Sequence, residues 1–473
     1  MHITRNPWKW VIALLLLITL GTVVYGLFKS PPEGTSYEGE VHETDRLSFV
    51  YNRSINTEEG RVFEENIYTR AEEMIQEAEE LIILDMFLFN DKTTEAMPEL
   101  SGHITDLLIE QSQLHPDLEV VVVTDPINTS YFSHDSTMLT RLEEEDIKTI
   151  ITDVTQLQDS NPLYSGIWRA YIQWFGQAGN GWIPNVFSDE APAMTARSYL
   201  KLLNGRANHR KVLLTEQEAL VASANFHDES YYYNNAGFSV GGAVLEDIWE
   251  SEQAVASFTE DAVLPSMPEQ EEEPDGDYLV QVLTEGENFN RALEMIDDAS
   301  EDEDILMAAY FLSDPEMTDA LIEAEKRGVD IRLLLDPNEE AFGLSVFGMP
   351  NRPVAEELLE ETDGGLEVRW YNVEEEQFHP KMLFIAGEEE TAILAGSANF
   401  STRNLRNNNL DTNLYVEGST EEGAAADALE WHREMWDNDG EEYTLPYDVY
   451  ENPHSSWRQW VYHLQKVSGL TTY

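Results

Sequence analysis

AEEMIQEAEELIILDMFLFND, residues 71–91, and ALEMIDDASEDEDILMAAYFLSD, residues 292–314, are two versions of one pattern. Each reads as an amphipathic helix followed by a short apolar strand. The parallel continues downstream. ITDLLIEQ from Ile104 leads to LEVVVVTDP at Leu118–Pro126, and TDALIEAEKRGVDIRLLLDP fills Thr318–Pro337. In both places a helix precedes a strand that ends in Asp-Pro. VVVV and IRLLL are apolar on both faces, as in a mostly parallel sheet covered by helices. The expectation is an α/β chain of two similar lobes, each a mostly parallel mixed sheet flanked by helices, related by a pseudo-two-fold. Equivalent side chains of the two lobes then converge on one cleft.

Chemistry-bearing residues recur at equivalent places. The first lobe has NHRKVLLTEQEALVASANF from Asn208, the second FHPKMLFIAGEEETAILAGSANF from Phe378. His209 and Lys211 are two apart, as are His379 and Lys381. Ser223 and Asn225 are two apart, as are Ser397 and Asn399. Side chains two apart share a face of a strand, so a hairpin lays His, Lys, Ser and Asn side by side. A neutral imidazole can attack phosphorus while a second protonates the leaving oxygen. Lysine charge and the hydrogen bonds of Asn and Ser suit the non-bridging oxygens. From Arg197 to Lys211 there are five basic residues (Arg197, Lys201, Arg206, Arg210, Lys211) and no acidic one. Such an island would draw phosphate to the cleft.

These segments resemble the phospholipase D superfamily, whose paired motif is His-x-Lys-x4-Asp followed by Gly-Ser-x-Asn. The resemblance spans both lobes. It implies a covalent phosphohistidine on His209, general acid–base work by His379, and phosphate binding by Lys211, Lys381, Asn225 and Asn399, with support from Ser223 and Ser397. It requires no metal and no cofactor. The motif acid falls on Glu216 in the first copy and on Ala386 in the second, and Ala222 stands where the family has Gly. An acidic residue that orients a histidine in the family falls on Asp411, and the first lobe offers Asn235 in the matching place.

WVIALLLLITLGTVVYGLF, residues 10–28, carries no charge and as a helix reaches roughly 28 Å, the thickness of a bilayer core. Arg5 and Lys9 precede it and acids follow Lys29, so the expected topology is N-terminus inside and body outside. The run is long for a signal peptide and FKSPPEG lacks a small-x-small site, which favours an uncleaved anchor. The expected organisation is 1–9 cytoplasmic, 10–28 membrane anchor, 29–44 linker, 45–265 first lobe, 266–276 acidic linker, 277–440 second lobe and 441–473 tail. Trp168, Tyr171, Trp174, Phe175 and Trp182 fall in an insertion of the first lobe and suit either core packing or a bilayer-facing element. In the tail, Trp457, Trp460, Val461 and Leu464 share a helical face that suits an interface or docking on the body.

Composition bounds the function. Lys+Arg number 28 and Asp+Glu 91 in 473 residues, a net charge of −63. Such a surface repels nucleic-acid backbones and reads as solvated and adapted to high salt or alkaline surroundings. Cys is absent, which excludes disulfides, thiol nucleophiles and Cys-based metal sites. The resulting expectation is an outward-facing, single-pass membrane enzyme of phospholipids, either a phospholipase D or a cardiolipin-synthase-like transferase. A nuclease of the same superfamily and an inactive tethered binding protein are the alternatives.

Overall fold

The computed structural model describes residues 7–57, 60–92, 97–177, 179–185, 191–270, 276–341, 344–373, 376–450 and 458–463. The chain is α/β and folds into two mixed sheets flanked by helices. The first sheet has eight strands in the order 60–65, 47–57, 235–240, 219–222, 211–215, 81–86, 119–124 and 148–151. The second has nine, in the order 42–44, 278–284, 412–419, 390–396, 381–386, 304–309, 330–335, 367–371 and 444–446. From the second strand on, the seven strands of the first sheet match the next seven of the second in order, and only 444–446 is extra, so the repeat read in the sequence is a repeat of topology.

Parallel pairing is narrower than the apolar runs suggested. It is confined to Leu81–Met86 with Glu119–Thr124 and Lys148–Ile151 in the first sheet. In the second it joins Asp304–Ala309, Asp330–Leu335 and Glu367–Tyr371. The remaining pairs are antiparallel, because the motif segments return as hairpins. Only strands joined through a helix can run parallel at once. Valines and leucines on both faces are still required, since helices or the other lobe cover both sides.

One apolar interior joins the lobes. It holds Phe238 and Val212 of the first sheet with Phe384 and Leu414 of the second. The helix Gly423–Asp437 brings Trp431 from the second lobe against Phe49 of the first, ring centroids 5.6 Å apart. Tyr371 of the second lobe donates to the Ser54 carbonyl of the first at 3.1 Å. The segment 29–44, expected as a linker, instead sends His42–Thr44 onto the second sheet, antiparallel to Tyr278–Thr284. Residues 271–275 of the expected acidic linker, and Trp457 and Leu464 of the tail, lie outside the described residues. The described part of the tail docks on its own body: Tyr462 is buried and its hydroxyl reaches Glu357 at 2.5 Å.

Candidate active site

The two His-x-Lys segments occupy the seam between the sheets. Each strand starts at the lysine, Lys211–Thr215 and Lys381–Ala386, and each histidine stands just before it. Backbone bonds pin these histidines across the seam. The His209 amide donates to the Leu410 carbonyl of the second lobe at 2.8 Å, and the His379 amide to the Asn234 carbonyl of the first at 2.9 Å. The residue before each histidine is fixed by the Asp of a strand-ending Asp-Pro. Asn208 donates its amide to Asp125 Oδ2, and Phe378 donates to Asp336 Oδ2, both at 2.8 Å. The repeated Asp-Pro was visible in the sequence, but only the fold gives it this role.

Both imidazoles line one pocket, together with Asn225, Asn399, Phe87, Tyr310 and Tyr233. Phe87 packs on His209 with centroids 4.7 Å apart, and Tyr310 on His379 at 4.9 Å. These aromatic walls sit at matching places in MFLFND and AYFLSD, a signal the sequence carried but chemistry alone did not single out.

The partners of the imidazoles are exchanged between lobes. His209 Nδ1 meets Asp411 Oδ1 of the second lobe at 2.7 Å, and His379 Nδ1 meets Asn235 Oδ1 of the first at 3.0 Å. A carboxylate only accepts, so His209 carries its proton on Nδ1. Asn235 Nδ2 donates to the Tyr233 carbonyl at 3.0 Å, which identifies the other atom as the amide oxygen; it accepts from Ser223 Oγ at 2.9 Å and places a proton on His379 Nδ1 as well. In the neutral rings, Nε2 is then the basic atom. Asp411 is itself held by Ser397 Oγ at 2.9 Å and Asn404 Nδ2 at 2.8 Å.

The serines therefore differ from their expected place on phosphate oxygens. Each hydroxyl proton is committed to the residue that orients a histidine, Ser223 to Asn235 and Ser397 to Asp411. Asn225 and Asn399 do line the pocket, and Asn225 Oδ1 is fixed by the Leu88 amide at 3.3 Å.

Lys211 and Lys381 lie buried beneath the imidazoles. Each ammonium donates to the carbonyl of its own histidine, at 2.7 and 2.6 Å. Burial lowers Lys211 to about 7. It lowers Lys381 well below the usual lysine range, with Lys211 adding to the effect. Burial also lowers His209 to about 4, followed by Lys211; the Asp411 carboxylate opposes this without overcoming it. His379 falls well below the usual imidazole range for the same reasons, with no carboxylate at hand. An anion in the pocket would favour the charged forms of Lys211, Lys381 and His379. The pocket wall thus carries two imidazoles with basic Nε2 atoms and two asparagines, while Lys211 and Lys381 are buried behind it and are not among its lining residues.

The basic island of residues 197–211 does not line the pocket beyond His209. Arg206 turns inward to Asp159 at 2.7 Å and to two backbone carbonyls. Arg210 is buried between Glu252 at 3.1 Å and Glu285 at 2.8 Å. Alternation along the chain sends it to the face opposite its neighbours. Lys201 lies over the Phe132 ring, 4.3 Å from the centroid.

The altered motif acids are also away from the chemistry. Glu216 accepts the backbone amides of Glu79 at 2.9 Å and Leu81 at 3.1 Å, closing the turn before the strand Leu81–Met86. The equivalent turn of the second lobe is closed by Glu303, which accepts the Ser300 amide and hydroxyl at 2.9 Å. Ala386 faces Asp304 in the ladder and is not needed as an acceptor. Among the described residues no cluster of His, Asp or Glu is arranged to hold a metal ion.

Comparison with known proteins bears on the family and the fold. Residues 292–436 match the family model described as "Cardiolipin synthase, PLD-like domain". The chain is thus similar to the phospholipase D superfamily, and the match falls on the second lobe. The solved phosphatidylserine synthase of Haemophilus influenzae superposes with a TM-score of 0.58 at 12% identity, covering 94% of this chain and 97% of that one. The phospholipase D family member Nuc of Salmonella typhimurium is 23% identical over 34% of this chain and 95% of its own, with a TM-score of 0.28. Polyphosphate kinase of Porphyromonas gingivalis matches at 13% identity over 85% of this chain and 51% of that one, with a TM-score of 0.45. No curated protein matches the chain significantly.

Proposed function

We propose that the protein is a membrane-anchored enzyme that cleaves or exchanges the phosphodiester of phospholipids through a phosphohistidine. His209 Nε2 attacks phosphorus while the P–O bond to the leaving alcohol breaks, and His379 gives that oxygen its proton. Water or a second alcohol then returns a proton to His379, attacks phosphorus and breaks the P–N bond. The crossed holding of the two rings carries this reading. His209, bound to a carboxylate, gains the positive charge of a phosphoimidazolium and is stabilised in doing so. His379, bound to a neutral amide, gives up its proton more readily. The bound anion raises the basicity of His379, which takes up at Nε2 the proton it then gives, while His209 attacks as the neutral ring. Asn225 and Asn399 hold the non-bridging oxygens, and Lys211 and Lys381 add positive charge from behind the histidines.

Phospholipid as substrate is supported by the apolar helix Trp8–Phe28, long enough to cross a bilayer, and by the cardiolipin synthase description of the matching domain. The anchor also holds an acidic body beside anionic headgroups that would otherwise repel it. The test is incubation with phosphatidylglycerol carrying labelled phosphorus, followed by an alkaline denaturing quench that preserves phosphohistidine. Labelled protein is expected, lost in His209→Ala, with cardiolipin or phosphatidic acid as product. A folded protein that yields neither label nor product would leave only a tethered binding role. Turnover of single-stranded DNA in place of lipid would sink the substrate reading.

A further inference from the structure

The helix Pro162–Tyr171 of the first-lobe insertion runs antiparallel along the apolar helix Pro7–Phe28. The contacts follow in order. Lys29 Nζ donates to the Thr155 carbonyl at 2.7 Å, and Arg169 donates to the Thr22 carbonyl at 2.8 Å. Thr22 Oγ1 donates to the Gly166 carbonyl at 2.8 Å, and the Tyr171 hydroxyl reaches the Leu15 carbonyl at 2.7 Å. A Cβ on Gly166 would lie 2.4 Å from Val23 Cγ2, so only glycine permits this approach. Small residues serve the same purpose between helices in membranes.

Length then decides where this second helix lies. Trp8–Phe28 is 21 residues, about 31 Å at ~1.5 Å per residue. The insertion accompanies it from Phe28 down to Leu15. If the accompanied part lay in water, only Trp8–Leu14 would remain for the membrane, about 10 Å against a hydrocarbon core of about 30 Å. An anchor that spans must therefore carry the insertion into the lipid with it.

The chemistry of the insertion agrees. Leu163, Ile167, Trp174 and Phe175 of the insertion are exposed, Trp174 at 75%. The Trp174 indole N–H is bonded internally, to the Ala170 carbonyl at 3.2 Å. Arg169 turns from the lipid side to the anchor and to Asp159 at 2.7 Å. These are the arrangements that a medium without hydrogen-bonding partners demands. At the chain's average composition a run of 56 residues would carry about eleven acids, yet residues 160–215 hold only Asp189 and Glu190.

We infer that residues 162–175, the helix Pro162–Tyr171 and the turn after it, are a second bilayer-inserted segment sheathing the anchor within the hydrocarbon. Further along the same insertion, Met194, Tyr199 and Leu202 pack against Phe87 and Ile127, both of which line the pocket. One insertion thus runs from the lipid to the pocket wall. The inference rests on the spanning role of the first helix and is independent of the phosphohistidine chemistry.

The absence of cysteine makes the test direct. Full-length Leu163→Cys, Ile167→Cys, Leu16→Cys and Leu114→Cys are each labelled with a small fluorophore and placed in phosphatidylglycerol–phosphatidylcholine vesicles. Labels at 163 and 167 should be quenched by lipids bearing nitroxides on the acyl chain, as the anchor label at 16 is. They should resist aqueous iodide at least threefold better than the label at 114, which is exposed at the end of the helix Leu100–Leu114. Iodide quenching at 163 and 167 with acyl quenching at 16 would overturn the insertion. Iodide quenching at 16 as well would overturn both it and the anchor. Lipid turnover is not read in either case, so failure of the catalytic proposal is told apart.

Discussion

Replacing Asp411 by Asn removes one charge from the site and, with the amide oxygen kept toward His209 and Ser397, the one hydrogen bond that Asn404 Nδ2 gives the other carboxylate oxygen. The carboxylate oxygen lies 2.7 Å from His209 Nδ1, and the two charge centres are about 4 Å apart once the imidazole becomes a cation. At an effective dielectric near 20 a full charge pair at that separation is worth about 4 kcal/mol. About half a charge has developed on the ring in the transition state for attack, so the loss should be about 2 kcal/mol, or roughly 30-fold in rate. The wild-type site supplies the control, because Asn235 already holds His379 through an amide oxygen. An amide can therefore orient an imidazole here, and the tautomer survives the substitution. The assay is single-turnover formation of labelled phosphoenzyme, read alongside far-ultraviolet dichroism to establish folding. A change of less than threefold in Asp411→Asn would refute the electrostatic role of this residue. So would an equal loss in the mirrored Asn235→Asp, since a carboxylate there makes His379 more basic without touching the nucleophile. Asp411→Ala should be worse than Asp411→Asn by a further 1–3 kcal/mol, about 5- to 150-fold, because three buried donors lose their acceptor.

The pH profile of kcat/KM reports the free enzyme. His209 is lowered to about 4, so its attacking form persists through pH 5 and the acid limb should fall below that, not near 6.5. His379, the proton donor, is held well below the usual imidazole range by burial and Lys211 is lowered to about 7; both lose charge as pH rises, so kcat/KM should already be falling at neutrality, and a plateau to pH 9 would contradict this. Glu216→Ala removes the acceptor of two turn amides and should cost about 1 kcal/mol in urea unfolding with kcat unchanged. A tenfold fall in kcat in the folded variant would return this residue to the chemistry. With a net charge of −63, the protein should melt at a lower temperature as salt is withdrawn, since self-repulsion is screened over only about 10 Å at 0.1 M; identical melting in millimolar and molar salt would exclude that.

Much of the fold was legible because duplication repeats the evidence. A helix-strand pattern at Ala71 alone is ambiguous, but its return at Ala292 with a following Asp-Pro in both copies fixes the lobe. The direction of the strands was less legible. Valine runs report coverage on both faces, and antiparallel hairpins buried between lobe and helix satisfy that as well as parallel strands do. In the site, the spacing of His209, Lys211, His379 and Lys381 carried the chemistry. What spacing could not carry is partnership across lobes. Nothing local to residue 209 states that Asp411 will meet it, since the contact depends on how Leu410 and Asn208 bridge the seam. The arginine island misled for a related reason. Charge counted along the chain ignores alternation, and Arg206 and Arg210 face inward to carboxylates.

The crossed arrangement also explains why the altered motif acids are tolerable while the seam is not. Glu216 and Glu303 close turns at the far end of the strands from the pocket, where an extra methylene or a different donor of the carboxylate changes only a cap. Arg210 is another matter. It sits between Glu252 and Glu285, and Glu285 Oε1 also accepts the Asp411 amide at 3.2 Å. The residue between the two members of the first His-x-Lys pair is therefore tied, through one carboxylate, to the backbone of the residue that orients His209. Removing its charge leaves two buried carboxylates without their cation, a loss of about 3–5 kcal/mol when one partner of such a pair is deleted. The first lobe's motif and the second lobe's orienting acid are thus held by one ion pair, and neither lobe could assemble its half of the site alone.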